Sequence, residues 1–366
     1  MLATPNQPQP YFLPEPSWGL IADDLTGACD AAAPFAKCGI PVKVVLRSEE
    51  AVIQRNGLTA ISTESRDVEP AAATERVSAA CNWLARNGVR ILYKKIDSVM
   101  RGHVVEEIAA TLETTGLQRA VVTPAFPEMG RIVVDGKLLL PANPAFVPID
   151  LREAFSCLPA VQIPDAQNAA DLAAIVERAL QGEAGPLLAG SAGLATALAS
   201  YLAAGICVRG CPPLRLRCDA VLYFIGSPHK ITTAQLDYLI AQRQTASCHL
   251  DALESDEATE ANDRLVVRVG WDAPSPEQCR PVWHWLDHNP QAGIVLSGGD
   301  TASFFCEAAG AEAIELGGEA FAGIPWGILR GGQADGRVVV TKSGGFGGEP
   351  TLVEVDDFLR ESEKRS

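Results

Sequence analysis

Short apolar runs alternate with longer, amphipathic and Ala-rich stretches along the chain. In the first half VKVVL (42–46), LTAIS (58–62), VRILYKKID (89–97), RAVVTPAF (119–126) and GPLLAGS (185–191) have the length and β-branched content of strands, and another apolar run precedes Asp23. Between them, 71–87, 104–115 and 168–181 carry apolar residues at helical spacing. Charge and proline then gather at 209–218, RGCPPLRLRC, which reads as a linker. A second series follows, with strands at 220–227, 264–269, 292–299 and 336–345 and helices at 231–243 and 300–309. Strand–helix alternation of this kind predicts an α/β protein with mostly parallel sheets covered on both faces, here as two tandem α/β domains. The division expected is a loose tail over 1–17, a domain over 18–208, the linker over 209–218 and a second domain over 219–366. In open α/β folds ligands collect at the C-terminal ends of strands, so chemistry is sought there.

At 366 residues the chain is long enough for two cores, and 47% hydrophobic with 20% charged residues suits a globular protein. The formal charge of −15 argues against nucleic-acid or anionic-membrane partners, which need a basic surface. The N-terminus, MLATPNQPQPYFLPEPS, lacks the basic start and apolar core of a signal peptide. The ten cysteines are scattered, with no C-x-x-C pair, and read as reduced apolar residues suited to a cytoplasmic location. Residues 185–208 carry no charge, long enough for a membrane span, but Ala, Gly and Ser dominate and a Gly-rich turn opens the run; a buried helix is expected.

Several strand ends of the first half carry charge. Asp23 and Asp24 close the first strand, STESRD (62–67) offers Arg66, and TPAFPEMGR (123–131) offers Arg131. In YKKIDSVMRGH (93–103), Lys95 and Asp97 face one way and Lys94 the other, with Ser98, Arg101, Gly102 and His103 following. Singly, such an Asp is often only a helix N-cap and such a cation a surface charge; the gathering of cations and acids is what points to an anionic small molecule. His103 is open between a substrate contact and a solvent-facing helix start. In the second half IGSPHKITTAQL, VLSGGDTASFF and VVTKSGGFGGE each run from a strand into Gly, Ser and Thr. Glycine lets the backbone approach a phosphate, and helix-start N–H groups bind anions. None is a full P-loop, and no G-x-G-x-x-G opens a helix, which counts against a dinucleotide-dependent dehydrogenase. His284 and His288 have metal-compatible spacing without a third ligand and read as a solvated helix face.

The ordered set ADDLTGACD, YKKIDSVMRGH, TPAFPEMGR, GSAGLA, SGGDTA and TKSGGFG, spread over about 18–355, resembles the four-carbon acid sugar kinase family. The resemblance implies a sugar-acid-binding N-terminal domain, a nucleotide-binding C-terminal domain, an active site in the cleft between them, ATP as phosphoryl donor and Mg²⁺ with it. It makes Asp23, Asp24, Lys95, Asp97, Ser98, Arg101 and Gly102 sugar-acid-site residues, and Ser227, Gly298, Gly299, Asp300, Thr301 and Gly344 ATP-site residues. A kinase needs a group to accept the hydroxyl proton; Asp24 is favoured, with Asp23 and Asp97 as the alternatives. Lys95 and Arg101 are natural partners for a substrate carboxylate. His103 stands where the family usually has Asn, Pro228 and His229 where a Cys-Ser pair is common, and the stretch after Arg131 is shorter than usual. Metal ligands and the choice of sugar acid stay unassigned, and a homodimer stays open. A non-catalytic sugar-acid or nucleotide binder and a kinase of another small acid are the competing readings.

Overall fold

A computed structural model describes residues 17–46, 52–181, 185–205, 217–254, 263–270 and 274–360. Nearly all of the expected N-terminal tail and most of the expected linker lie outside them. The first half runs β1 (Trp18–Ala22), α1 (Leu25–Lys37), β2 (Val42–Val45), β3 (Leu58–Ser62), α2 (Pro70–Arg86), β4 (Arg90–Lys95), α3 (Val104–Thr115) and β5 (Ala120–Thr123). It continues through β6 (Ile132–Val134), β7 (Lys137–Leu139), β8 (Ile149–Asp150), α4 (Leu151–Ala154), β9 (Val161–Gln162), α5 (Ala169–Ala179), β10 (Leu187–Gly190) and α6 (Ala192–Ala204). The second half holds β11 (Val221–Ile225), α7 (Lys230–Arg243), β12 (Ser247–His249), β13 (Arg264–Arg268), α8 (Arg280–His288) and β14 (Gly293–Ser297). It ends with α9 (Gly299–Ala309), β15 (Ala313–Phe321), β16 (Ile324–Arg330), β17 (Val338–Lys342) and α10 (Thr351–Arg360).

The class is mixed α/β with a mostly parallel sheet, as the alternation predicts. The two series share one 14-stranded sheet, ordered β12-β13-β11-β14-β17-β16-β15-β2-β3-β1-β4-β10-β5-β9. The join is antiparallel: β15 lies on β2, with Ile314 opposite Val44. β15 also pairs antiparallel with β16, and β16 with β17. The apolar pattern conceals this ribbon because Gly317, Gly318 and Pro325 interrupt it, and such residues normally mark turns. Gly317 is required there, since a Cβ would stand 2.2 Å from the Trp326 ring. The three-stranded sheet β6-β7-β8 was likewise unforeseen, although Asp135–Gly136, both at positive φ, is a strong hairpin-turn signal.

Helix α1 sits where the halves meet, packed on α6, β3, β15 and α9. Its Ala28, Ala31, Ala32 and Ala33 are fully buried, and such small side chains let neighbouring elements approach closely. The uncharged run of 185–208 divides into a strand, a Ser191-capped turn and the 13-residue α6. No described helix is long and apolar enough to cross a membrane.

Ile314 is fully buried on the strand that joins the halves. Ile314→Ala is expected to lower stability by about 2–5 kcal/mol, read as a lower urea midpoint by circular dichroism; an unchanged midpoint would mean that the join contributes little.

Candidate active site

Strand β1 ends at Ala22, and the chain turns directly into α1. Asp24 is the N-cap of that helix: its Oδ1 accepts from the Gly27 N–H at 2.7 Å, and Oδ2 accepts from the Thr26 hydroxyl at 3.2 Å. Asp23 points to Arg66, whose Nε and Nη2 donate to its two oxygens at 2.7 and 2.9 Å. The same guanidinium reaches Asp24 Oδ2 through Nη1 at 2.5 Å. One arginine after β3 therefore binds both acids. Burial alone would raise the Asp23 pKa, but Arg66, with Lys94 and Lys95, outweighs it and holds the carboxyl below its usual range.

The loop after β4 adds a third pinned acid. Asp97 accepts from the Val99 and Arg101 N–H groups at 2.9 and 3.2 Å and from Arg101 Nε and Nη2 at 3.1 and 2.6 Å. Burial works against ionisation here too, but Arg101, then Arg66 and Lys95, bring the pKa down to about 2. Gly102, at φ +80°, lies against Arg66: a Cβ would stand 3.3 Å from Arg66 Cγ. Ser98 is half-buried in the same loop. Lys94 and Lys95 diverge as strand alternation requires. Lys94 pairs with Glu107 of α3 at 2.6 Å, inside the core. Lys95 is buried toward α1, its Nζ 3.4 Å from where a Cβ on Gly27 would stand. Arg131 Nη1 donates to the Met129 carbonyl at 2.8 Å, while its Nε is buried without a hydrogen-bond partner among the described residues. His103 turns to the Val68 carbonyl, Nε2 to O 2.5 Å, and so ties down the loop after Arg66.

The glycine-rich strand ends of the second half converge in the same way. A Cβ on Gly344 would fall 2.0 Å from Ser227 Oγ, and one on Gly298 would fall 3.0 Å from Thr301 Oγ1 and 3.2 Å from the Ser227 nitrogen. Gly298, at φ +111°, precedes α9 and supplies no capping side chain, so the first-turn N–H groups of α9 have no side-chain acceptor there. Asp300 lies on that turn, and its partial burial together with the nearby Asp67 and Asp24 raises its pKa.

The two sets touch. A Cβ on Gly299 would stand 2.9 Å from Asp24 Oδ2, Ser343 Oγ donates to Thr26 Oγ1 at 3.2 Å, and the Phe126 and Phe346 rings meet edge-on at 6.3 Å.

Two further residues belong to this region and escape sequence reasoning. Lys342 ends β17 buried, donating to Thr232 Oγ1 at 3.2 Å and to the carbonyls of Ser343, Gly344 and Phe346 at 3.1, 3.3 and 3.4 Å. Burial pushes its pKa down to about 8. Asp30, 4% exposed on α1, keeps an Oδ1 without a hydrogen-bond partner among the described residues. Its signal is a lone acid inside the apolar helix LTGACDAAAPFAK, where an unpaired charge is costly. Among the described residues no three His, Cys, Asp or Glu side chains form a metal-binding group; His284 and His288 are exposed on α8, their rings meeting edge-on at 4.4 Å.

A sugar-binding N-terminal domain profile matches residues 18–154, and a nucleotide-binding C-terminal domain profile matches 282–352. A D-threonate kinase of Bordetella bronchiseptica is 30% identical over 413 residues, covering 94% of this chain and 98% of that one. A D-threonate kinase of Salmonella typhimurium is 26% identical, covering 93% and 98%. A D-erythronate kinase of Heliobacterium modesticaldum is 37% identical over 129 residues, 34% of this chain and 29% of its own. Crystal structures from Salmonella typhimurium and Haemophilus influenzae share the fold, with TM-scores of 0.67 and 0.63 at 20% identity; they match 93% of this chain and 98% and 100% of their own. With the two profiles in this order and a relative similar along almost its whole length, the chain belongs to the four-carbon acid sugar kinase family.

Proposed function

We propose that the protein transfers the γ-phosphoryl group of ATP to a hydroxyl of a four-carbon sugar acid. The observation that carries the reading is the contact of Asp24 with the start of α9, because it sets a carboxylate of the acid-and-cation cluster against an uncapped helix N-terminus. Such a terminus suits an anionic phosphate. The kinship with D-threonate and D-erythronate kinases supports the same substrate class.

In this reading the N–H groups of Gly299, Asp300 and Thr301 receive the terminal phosphates of ATP. Ser227 and Gly344 line the approach, with no side chain at 344 to block it. Lys342 braces the 343–346 turn through its carbonyls and adds positive charge nearby. Lys95, Arg101 and Arg131 take the carboxylate of the sugar acid, in a protein otherwise strongly anionic. The substrate hydroxyl lies at Asp24, which accepts its proton as the new O–P bond forms and ADP departs. Asp23 keeps Arg66 in place, and Arg66 in turn orients Asp24. Asp97 fixes Arg101. Asp300, at the start of α9 with Asp24 and Asp67 nearby, is the residue that would hold a Mg²⁺ ion. Bound there, Mg²⁺ would neutralise phosphate charge.

A coupled ADP-release screen with Mg-ATP is expected to give acid-dependent turnover with D-threonate, D-erythronate or 3-oxo-tetronate, and Asp24→Asn should lower kcat by about 10²–10⁴-fold. Nucleotide binding without acid-dependent ADP release would instead favour a non-catalytic binder. Arg101→Ala should weaken sugar-acid binding by roughly 1.5–3 kcal/mol and leave the calorimetric ATP affinity within about twofold; equal binding of the acid and its neutral alcohol would remove Arg101 from carboxylate recognition.

A further inference from the structure

Asp30 is in the second turn of α1, on a stretch with no other charge before Lys37. A buried carboxyl oxygen without a partner is destabilising, and native proteins keep few of them. Its surroundings supply a reason for keeping this one. Gly27, three residues earlier, shares its helix face, and Lys95 Nζ lies 3.4 Å from the Cβ position of Gly27. Arg131 contributes a second orphaned atom, the buried Nε. Across from α1, Gly323 in the turn between β15 and β16 lies against the Phe346 ring: a Cβ there would stand 2.6 Å from the ring and 3.6 Å from Asp30 Oδ1.

We propose that Asp30 is a specificity-determining residue that hydrogen-bonds the hydroxyl adjacent to the carboxylate of the sugar acid, while Lys95, Arg101 and Arg131 take the carboxylate itself. This rests on the kinase reading above. Asp30 lies about 9 Å along α1 from Asp24, at 1.5 Å rise per residue. That spacing matches an extended four-carbon acid with a hydrogen bond at each end, its phosphoryl-accepting hydroxyl at Asp24. A hydroxyl both donates and accepts, so it can satisfy Asp30 in either protonation state. That versatility matters, because burial raises the Asp30 pKa to about 7. Lys95 and Arg131 oppose the rise, while Glu319 and Asp24 add to it; the Tyr93 hydroxyl and the Cys29 thiol also feel its charge.

D-threonate and D-erythronate differ in the configuration of that hydroxyl, so the test is discrimination between them. The parent enzyme is expected to favour one by about tenfold or more in kcat/KM. Asp30→Ala should bring the ratio close to unity, Asp30→Asn should reduce it, and both should leave the KM for ATP within about twofold. Because the orphaned carboxyl is a burden to the ligand-free fold, neither variant should melt below the parent. A carboxyl whose pKa is raised by folding loses stability as pH rises from its unfolded value, so the advantage of Asp30→Asn should grow between pH about 4 and about 7 and then level off. A ratio unchanged within twofold, a parent that does not discriminate, or a lower Tm in both variants overturns the proposal. A parent that turns over either acid while the variants behave like it removes Asp30 alone; a parent that turns over neither overturns the kinase reading together with this proposal.

Discussion

Two neighbouring carboxylates, both more than nine-tenths buried, repel each other and resist leaving water, and the guanidinium of Arg66 is what allows Asp23 and Asp24 to share the end of β1. Its fork binds Asp23 through two hydrogen bonds and has a third donor left for Asp24. The pairing also ties the end of β3 to the start of α1, and Gly102 brings the β4 loop down onto the same side chain. Desolvation opposes the charge on Arg66, but the two acids overcome it and raise its pKa. A lysine could supply the charge but not the planar fork. The reactivity proposed for Asp24 depends on this arrangement, since a general base must be aimed at the proton it accepts.

The second constraint is how the halves of the sheet are joined. Three antiparallel pairings, β2-β15, β15-β16 and β16-β17, reverse the strand direction between the halves. Reversal alone would put the two sets of C-terminal strand ends on opposite edges of a flat sheet. Sheets twist by roughly 20–25° per strand, and the several strands between β1 and β14 turn the ends back toward each other. Glycine completes the approach: Gly299 against Asp24, Gly298 and Gly344 against Ser227. A side chain at any of these positions would collide with a residue of the proposed site.

Much of this was legible in the sequence. Apolar periodicity locates the parallel strands and the main helices because each has one dominant packing face, and the end of β1, the β4 loop and the start of α9 can be read as sites because charge or glycine there interrupts an apolar run. Periodicity could not reveal β15 and β16, because Gly317 and Gly318 lie against Trp326, with Gly318 also facing Lys37 of α1, and Pro325 sits within β16, so these residues do not mark chain reversals. Nor could it separate the roles of the acids. Asp23, Asp24 and Asp97 look alike as strand-end carboxylates, whereas the fold gives the first to Arg66, shares the second between Arg66 and the α1 cap, and locks the third onto Arg101. His103 could be read two ways and turns to the Val68 carbonyl. Asp30 and Lys342 gain their interest from burial, which a single sequence does not display.

The central claim is that the acid-and-cation cluster and the glycine-rich cluster form one phosphoryl-transfer centre. Paramagnetic relaxation tests it most directly. With a Mn²⁺-bound, non-transferable ATP analogue on the intact protein, the protons of bound D-threonate or D-erythronate should relax far faster than with the Mg²⁺ form, and displacing Mn²⁺ with excess Mg²⁺ should abolish the effect. Saturable binding of both ligands with no Mn²⁺-dependent relaxation would place them apart and contradict the account.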